Sequence, residues 1–213
     1  IDGEKTFVID GNSASLLIVA ARTDGDIEDE TGITLFLVDP NSEGLQVSKT
    51  SMVDSRNSAR IKFNNVVVSS AEILGELNNG SGILERVLDR AQIAISAEML
   101  GNASQAFDIT LEYLKERKQF GAVIGTFPAL QHRAAEMYSE LELTKSSVIA
   151  ACNAVDNNSN DLKRMASLAK FKAGETNHLV TNEAIQMHGG VGVTDEYDVG
   201  LYLKRARVTE QMF

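Results

Sequence analysis

The sequence predicts an α+β protein. An antiparallel β-domain portion over residues 1–80 precedes an up-down four-helix bundle over residues 81–213. Three observations carry this. Short, partly β-branched apolar runs bounded by turn residues fill the front. No helical pattern separates those runs, so they pair as antiparallel neighbours rather than βαβ units. After residue 80 the apolar period switches from two to three or four residues.

In chain order, Phe7-Val8-Ile9 is the first strand pattern, and Gly11-Asn12 turns it into Leu16 to Ala20. Ile33 to Val38 follows and is closed by Asp39-Pro40-Asn41. Between them, Asp24-Gly-Asp-Ile-Glu-Asp-Glu30 reads as a solvated loop joining two strands. Ala59, Ile61 and Phe63 alternate with Arg60 and Lys62, which gives one buried and one wet face. Asn64-Asn65 then turns the chain into the apolar run Val66-Val67-Val68.

Beyond Asn78-Asn79-Gly80-Ser81-Gly82, residues Leu84, Leu88, Ala91, Ile95, Met99, Ala103, Phe107, Leu111 and Leu114 mark one face of a long helix ending near Phe120-Gly121. Pro128 suits the first turn of a second helix, with the stripe Leu130, Ala134, Met137, Leu141, Val148 and Cys152. Asp161 is the expected N-cap of a third, which buries Met165, Ala169, Ala173, Val180, Ala184 and Met187 and is stopped by Gly189-Gly190. A last helix is expected from about Asp195, carrying Tyr197, Leu201, Val208 and Met212. Four such helices with short links make an antiparallel bundle.

Composition narrows the function. Hydrophobic residues make up 43% and charged residues 23% of 213, as in ordinary soluble domains. The net charge of −10 argues against a nucleic-acid partner. The acidity is concentrated in front: residues 1–80 carry six Lys/Arg and 13 Asp/Glu. Cys152 is the one cysteine, so no internal disulfide forms. No apolar run approaches the roughly 20 residues of a membrane helix. The chain opens at Ile1 with no Met and no signal-like segment, and reads as a piece of a longer, cytoplasmic protein.

Local motifs taken singly read as structure. His132, His178 and His188 do not pair at metal spacing, so no metal site is expected. No Gly-x-Ser-x-Gly elbow occurs. Gly189-Gly190-Val191-Gly192 follows a helix, not a strand, and fails the context of a Rossmann phosphate loop. Arg117-Lys118 at a helix end compensates the helix dipole.

In order, however, the motifs form a set: Arg117-x-x-Phe120-Gly121, Gly125-x-Phe127-x-Ala129-x-Gln131, Ala135-Glu136-Met137, Gln186-Met187-His188-Gly189-Gly190-Val191-Gly192, and Tyr202-Leu203-Lys204-Arg205-Ala206-Arg207. The series resembles the C-terminal part of the acyl-CoA dehydrogenase family. Lys5 to Gly11 and Gly32 to Val38 resemble strands of that family's middle β-domain. The resemblance implies an FAD-dependent oxidoreductase that dehydrogenates an acyl-CoA thioester at its α,β-bond and passes electrons to an electron-transferring flavoprotein. It implies that Arg117 reaches the FAD pyrophosphate of a neighbouring subunit, that Phe120 contacts the same flavin, and that Gln186, Gly189 and Gly190 surround its ADP portion. It therefore implies at least a dimer. Asp89 and Gln92 fall at substrate-binding positions.

The sequence departs from the family where the catalytic base belongs. The two positions that carry the base glutamate hold Ala91 and Phe213 here, and neither accepts a proton. Gln92 replaces an arginine, and Ile9 replaces a threonine beside the flavin. Glu210 lies close to the second base position. The catalytic residue is thus unassigned. The alternative is a non-catalytic partner subunit that lends Arg117 and Gln186 to a flavin whose base comes from another chain.

Overall fold

The computed structural model describes residues 1–213. The chain divides into two compact units, Ile1–Val87 and Leu88–Phe213.

The first unit holds two antiparallel sheets. Strands β1 (Gly3–Ile9), β5 (Ser58–Phe63) and β4 (Leu45–Lys49) form one, in the order β1-β5-β4. Strands β2 (Leu17–Arg22), β3 (Ile33–Val38) and β6 (Ile73–Leu74) form the other, in the order β2-β3-β6. β2 and β3 pair without a break, from Leu17 opposite Val38 to Arg22 opposite Ile33. The period-two pattern of β5 has the expected outcome: Ala59, Ile61 and Phe63 are buried and Arg60 and Lys62 exposed. They join Leu17, Val19, Phe36, Val38 and Val66 in one core. Each large side chain buried there contributes about 1.5–3 kcal/mol.

The long connection between β2 and β3 carries the acidic run, and its side chains are exposed as expected. Its shape comes from Arg22, whose guanidinium donates to the carbonyls of Asp24, Ile27, Asp29 and Thr31 at 3.1, 3.3, 2.8 and 2.9 Å. Buried Thr34 closes its base: its hydroxyl lies 2.6 Å from that of Thr23 and accepts the Asn78 backbone N–H at 2.8 Å.

Three details differ from expectation. β4 and β6 have no counterpart in the sequence reading; β4 is a mostly exposed edge and β6 has two residues, too few for a periodic signal. The run Val66-Val67-Val68 is not a strand. Asn65 enters the left-handed region (φ +52), Val66 is buried, and Val67 is 89% exposed.

The helices are α1 (Ser81–Glu116), α2 (Pro128–Asp156), α3 (Leu162–His188) and α4 (Val199–Gln211), with a short hairpin of β7 (Lys118–Gln119) and β8 (Ala122–Val123) after α1. The division between the units falls inside α1. The main core of the second unit joins Ala103 and Phe107 of α1, Met137 and Leu141 of α2, Val180 and Ala184 of α3 and Val199 of α4. A polar seam runs through it. Asn102 donates to Asn177 Oδ1 at 2.8 Å and to the Tyr202 carbonyl at 3.1 Å. Between α2 and α3, buried Thr144 donates to Thr176 at 2.7 Å, and Lys172 pairs with Glu140.

Helix boundaries depart from the pattern in instructive ways. α1 stops at Glu116, four residues early, because Arg117 enters the hairpin. On α2 Ala151 is buried and Cys152 exposed, since three residues rather than four complete the turn after Val148. On α3 Ala166 takes the buried place expected of Met165. Asp161 caps α3 by position only; its carboxylate binds Arg164 at 2.9 Å instead of a backbone N–H, and that pairing lowers its pKa. α4 starts at Val199, so Tyr197 precedes it, and its inward face is Val199, Ala206 and Thr209 while Leu201 is exposed.

Candidate functional site

Strands β7 and β8 are joined by Phe120 and Gly121 alone, since Gln119 pairs with Ala122. Both turn residues have positive φ, +55 and +79, which is the type I′ pattern whose favoured pair is Asn-Gly. A phenylalanine in the first position costs on the order of 1–2 kcal/mol. At this turn tip Phe120 is 91% exposed, and its ring meets that of Phe127 edge-on at 6.2 Å.

Arg117 is fixed through its backbone. Its N–H donates to the Tyr113 carbonyl at 2.9 Å, and its own carbonyl accepts the Ile124 N–H at 2.9 Å. Its side chain is exposed and forms no ion pair with a carboxylate of this chain. It lines a pocket of about 400 Å³ with Tyr113, Glu116, Val191, Glu196 and Tyr197.

The other wall comes from the end of α3. Gly189 terminates the helix at φ +64, and its N–H returns to the Gln186 carbonyl. A 3-10 turn, Gly189–Val193, follows and brings Val191 to the pocket. A Cβ at Gly189 or Gly190 would meet nothing within 4 Å, so this backbone stands open to an approaching group. Gly192 is the opposite case: a Cβ there would lie 2.9 Å from the Ile185 carbonyl oxygen. Gln186, Gly189 and Gly190 are exposed and lie outside the pocket lining, as does Phe120.

A ring cluster backs the pocket. His188 is 3% exposed and its ring stacks on Tyr113 at 4.3 Å. Tyr197 lies 5.0 Å from His188 and 5.3 Å from Tyr113, edge-on to the latter. Nδ1 of His188 sits 2.7 Å from the Ala184 carbonyl oxygen, so Nδ1 carries the proton and Nε2 is a bare acceptor with no partner. Burial pushes the imidazole pKa down, against the pull of that carbonyl. The sequence assigns none of the three a role here: His188 is read only as a histidine without metal spacing and as part of the Gln186 to Gly192 motif, Tyr197 as part of the last helix, and Tyr113 is not singled out. The one available signal is that Tyr113 precedes Arg117 by a single helical turn.

The substrate candidates lie elsewhere. Gln92 lines an open groove of about 730 Å³ with Lys170, Phe171, His178, Leu179 and Glu210. Lys170 donates to the Glu210 carbonyl at 3.1 Å, and burial lowers its pKa against the opposing charge of Glu210. Asp89 is half-buried and does not line the groove. Ala91 is half-buried, and Phe213 leaves α4 at φ +60 and about half exposed. No group of three or more His, Cys, Asp or Glu is placed to hold a metal. No helix is long and apolar enough to cross a membrane.

A guanidinium in no ion pair and an open glycine backbone are both suited to phosphate oxygens. The family described as acyl-CoA dehydrogenase, C-terminal domain, matches residues 78–212. A short/branched chain specific acyl-CoA dehydrogenase, mitochondrial, from Bos taurus is 36% identical over 211 residues, 98% of this chain and 48% of that protein. The caffeyl-CoA reductase–Etf complex subunit CarC from Acetobacterium woodii is 34% identical over 212 residues, 98% of this chain and 55% of that one. The structure of butyryl-CoA dehydrogenase from Megasphaera elsdenii superposes with a TM-score of 0.91 at 29% identity, covering 98% and 55% of the two chains. The chain spans about half the length of these relatives.

Proposed function

The chain belongs to the acyl-CoA dehydrogenase family, and from that premise we propose that it is part of an FAD-dependent enzyme acting on an acyl-CoA thioester. On this reading residues 1–80 are part of the middle β-domain and residues 81–213 the C-terminal helical domain. When bound, FAD would supply the hydride acceptor for the β-carbon of the acyl group, with a base to take the α-proton.

This chain's residues have the tasks of holding and orienting. Arg117 offers its guanidinium fork to the pyrophosphate. Gln186 and the exposed backbone at Gly189 and Gly190 receive the ADP portion, and the Phe120 ring lies against the same cofactor. Asp89 and Gln92 hold the substrate. The flavin they grip belongs to a neighbouring subunit, so the protein works as a dimer or tetramer. An electron-transferring flavoprotein takes the electrons away; the name of the Acetobacterium woodii relative, an Etf complex subunit, supports that partner.

The observation that carries the reading is Arg117, an exposed cation in no ion pair, in a pocket whose other wall is Val191 of the turn that follows the open Gly189 and Gly190. The test is FAD affinity of the full-length subunit. Arg117→Ala should weaken it by about 10- to 100-fold, the worth of one charge-assisted hydrogen bond. Unchanged affinity would overturn the reading.

A second reading is favoured by Ala91 and Phe213, which leave both family base positions without a titratable group. The chain then lends its grip to a flavin whose base lies in a different subunit. Co-purification with a glutamate-bearing homologue supports this. Full dehydrogenase activity from the homomer rules it out.

A further inference from the structure

We propose that Tyr113 and His188 are positioning residues that lock the Arg117 segment to the Gly189 turn, so that the two halves of the nucleotide grip move as one. The proposal rests on the flavin reading above.

The two halves are far apart in sequence and meet at one peptide plane. The Tyr113 hydroxyl donates to the His188 carbonyl at 3.2 Å, across 75 residues. That carbonyl is among the last of α3 and belongs to the N-cap of the 3-10 turn that follows, so it sits at the junction of the two. The N–H of the same peptide unit, that of Gly189, donates to the carbonyls of Gln186 and Ile185. Both polar ends of the His188–Gly189 peptide are therefore pinned. The turn exposes Gly189 and Gly190 only while this plane keeps its orientation.

On the other side, the Tyr113 carbonyl accepts the Arg117 N–H at 2.9 Å. One residue thus touches the glycine turn with its side chain and the arginine with its backbone. Stacking of the His188 ring on Tyr113, with Tyr197 edge-on, fixes the phenol in place. A purely apolar stack would pack as well. The hydroxyl contact is what ties the packing to the peptide that shapes the binding turn.

The decisive measurement is a double-mutant cycle in the full-length subunit, read as the FAD dissociation constant, with thermal melting measured alongside. Tyr113→Phe keeps the ring and deletes the O–H. It should weaken FAD binding by about 5- to 10-fold. On top of Arg117→Ala it should cost clearly less than it does alone, because the lock then has only the glycine half left to place against the nucleotide. His188→Phe keeps a ring in the stack and should match wild type more closely than His188→Ala, which also serves if Tyr113→Phe fails to fold. If Arg117→Ala weakens binding and Tyr113→Phe does not, or if the two losses simply add, the positioning role is wrong while the flavin reading stands. If Arg117→Ala itself changes nothing, the flavin reading has failed.

Discussion

Phe120 occupies a conformation that its side chain disfavours, and a residue suited to the turn should release the cost. Phe120→Asn installs the preferred first residue of a type I′ turn. It gives up only an edge contact with Phe127. We expect about 1 kcal/mol of added stability, seen as a melting temperature a few degrees higher. FAD binding should weaken at the same time. A variant that melts lower would show that the turn is not strained. His188 carries the opposite kind of cost. Its pKa is lowered in the folded chain by burial, so the unfolded chain binds the extra proton first. Stability is then complete above the ordinary histidine range near pH 6.5 and declines as pH falls through it toward the lower folded value. Melting temperature should drop across that window, and His188→Phe should flatten the drop. An equal acid slope in both proteins would remove His188 as its source.

At the scale of elements, the bundle is tied by buried polar groups as well as by its apolar stripe. Asn177 is 1% exposed; it accepts from Asn102 of α1 and faces Thr209 of α4. Asn177→Leu should destabilise the protein by about 1–3 kcal/mol, lowering the urea midpoint with an unchanged slope, because the amide of Asn102 loses one of its two acceptors and keeps only the Tyr202 carbonyl. The sequence shows these helices clearly where punctuation is strong. Pro128 opens α2 and Gly189 closes α3 where expected. The β5 alternation and the limits of β3 are equally readable. Boundaries set by pairing without a periodic or turn signal are not. Arg117 leaves the helical path because residues 118–123 pair with each other, and α4 waits until Val199. The candidate site divides the same way. Arg117, Phe120, Gln186 and the glycines stand out as an ordered motif set. The tie between Tyr113 and His188 does not, since it spans 75 residues and Tyr113 lies in none of the motifs.

For the whole molecule, each compact unit closes its own core. The cluster around Ile61 and Phe36 draws only on the strands and connections of the first unit. The cluster around Met137 and Val180 draws only on residues of the second. Residues 81–213 expressed alone should therefore keep a helical circular-dichroism spectrum and a cooperative melt; a non-cooperative transition would show that the bundle depends on the strands before it. The loop shaped by Arg22 shows how the front unit's charge behaves. Its five acidic residues, Asp24, Asp26, Glu28, Asp29 and Glu30, are exposed, with Asp24 and Asp29 accepting the backbone N–H groups of Gly25 and Asp26, while the arginine spends its donors on carbonyl oxygens. Dissolved ions screen charge pairs far more than these hydrogen bonds. Brine should consequently quieten the mutual repulsion between molecules and leave the outline of the loop intact, so that colloidal behaviour and local architecture respond separately to the same solvent.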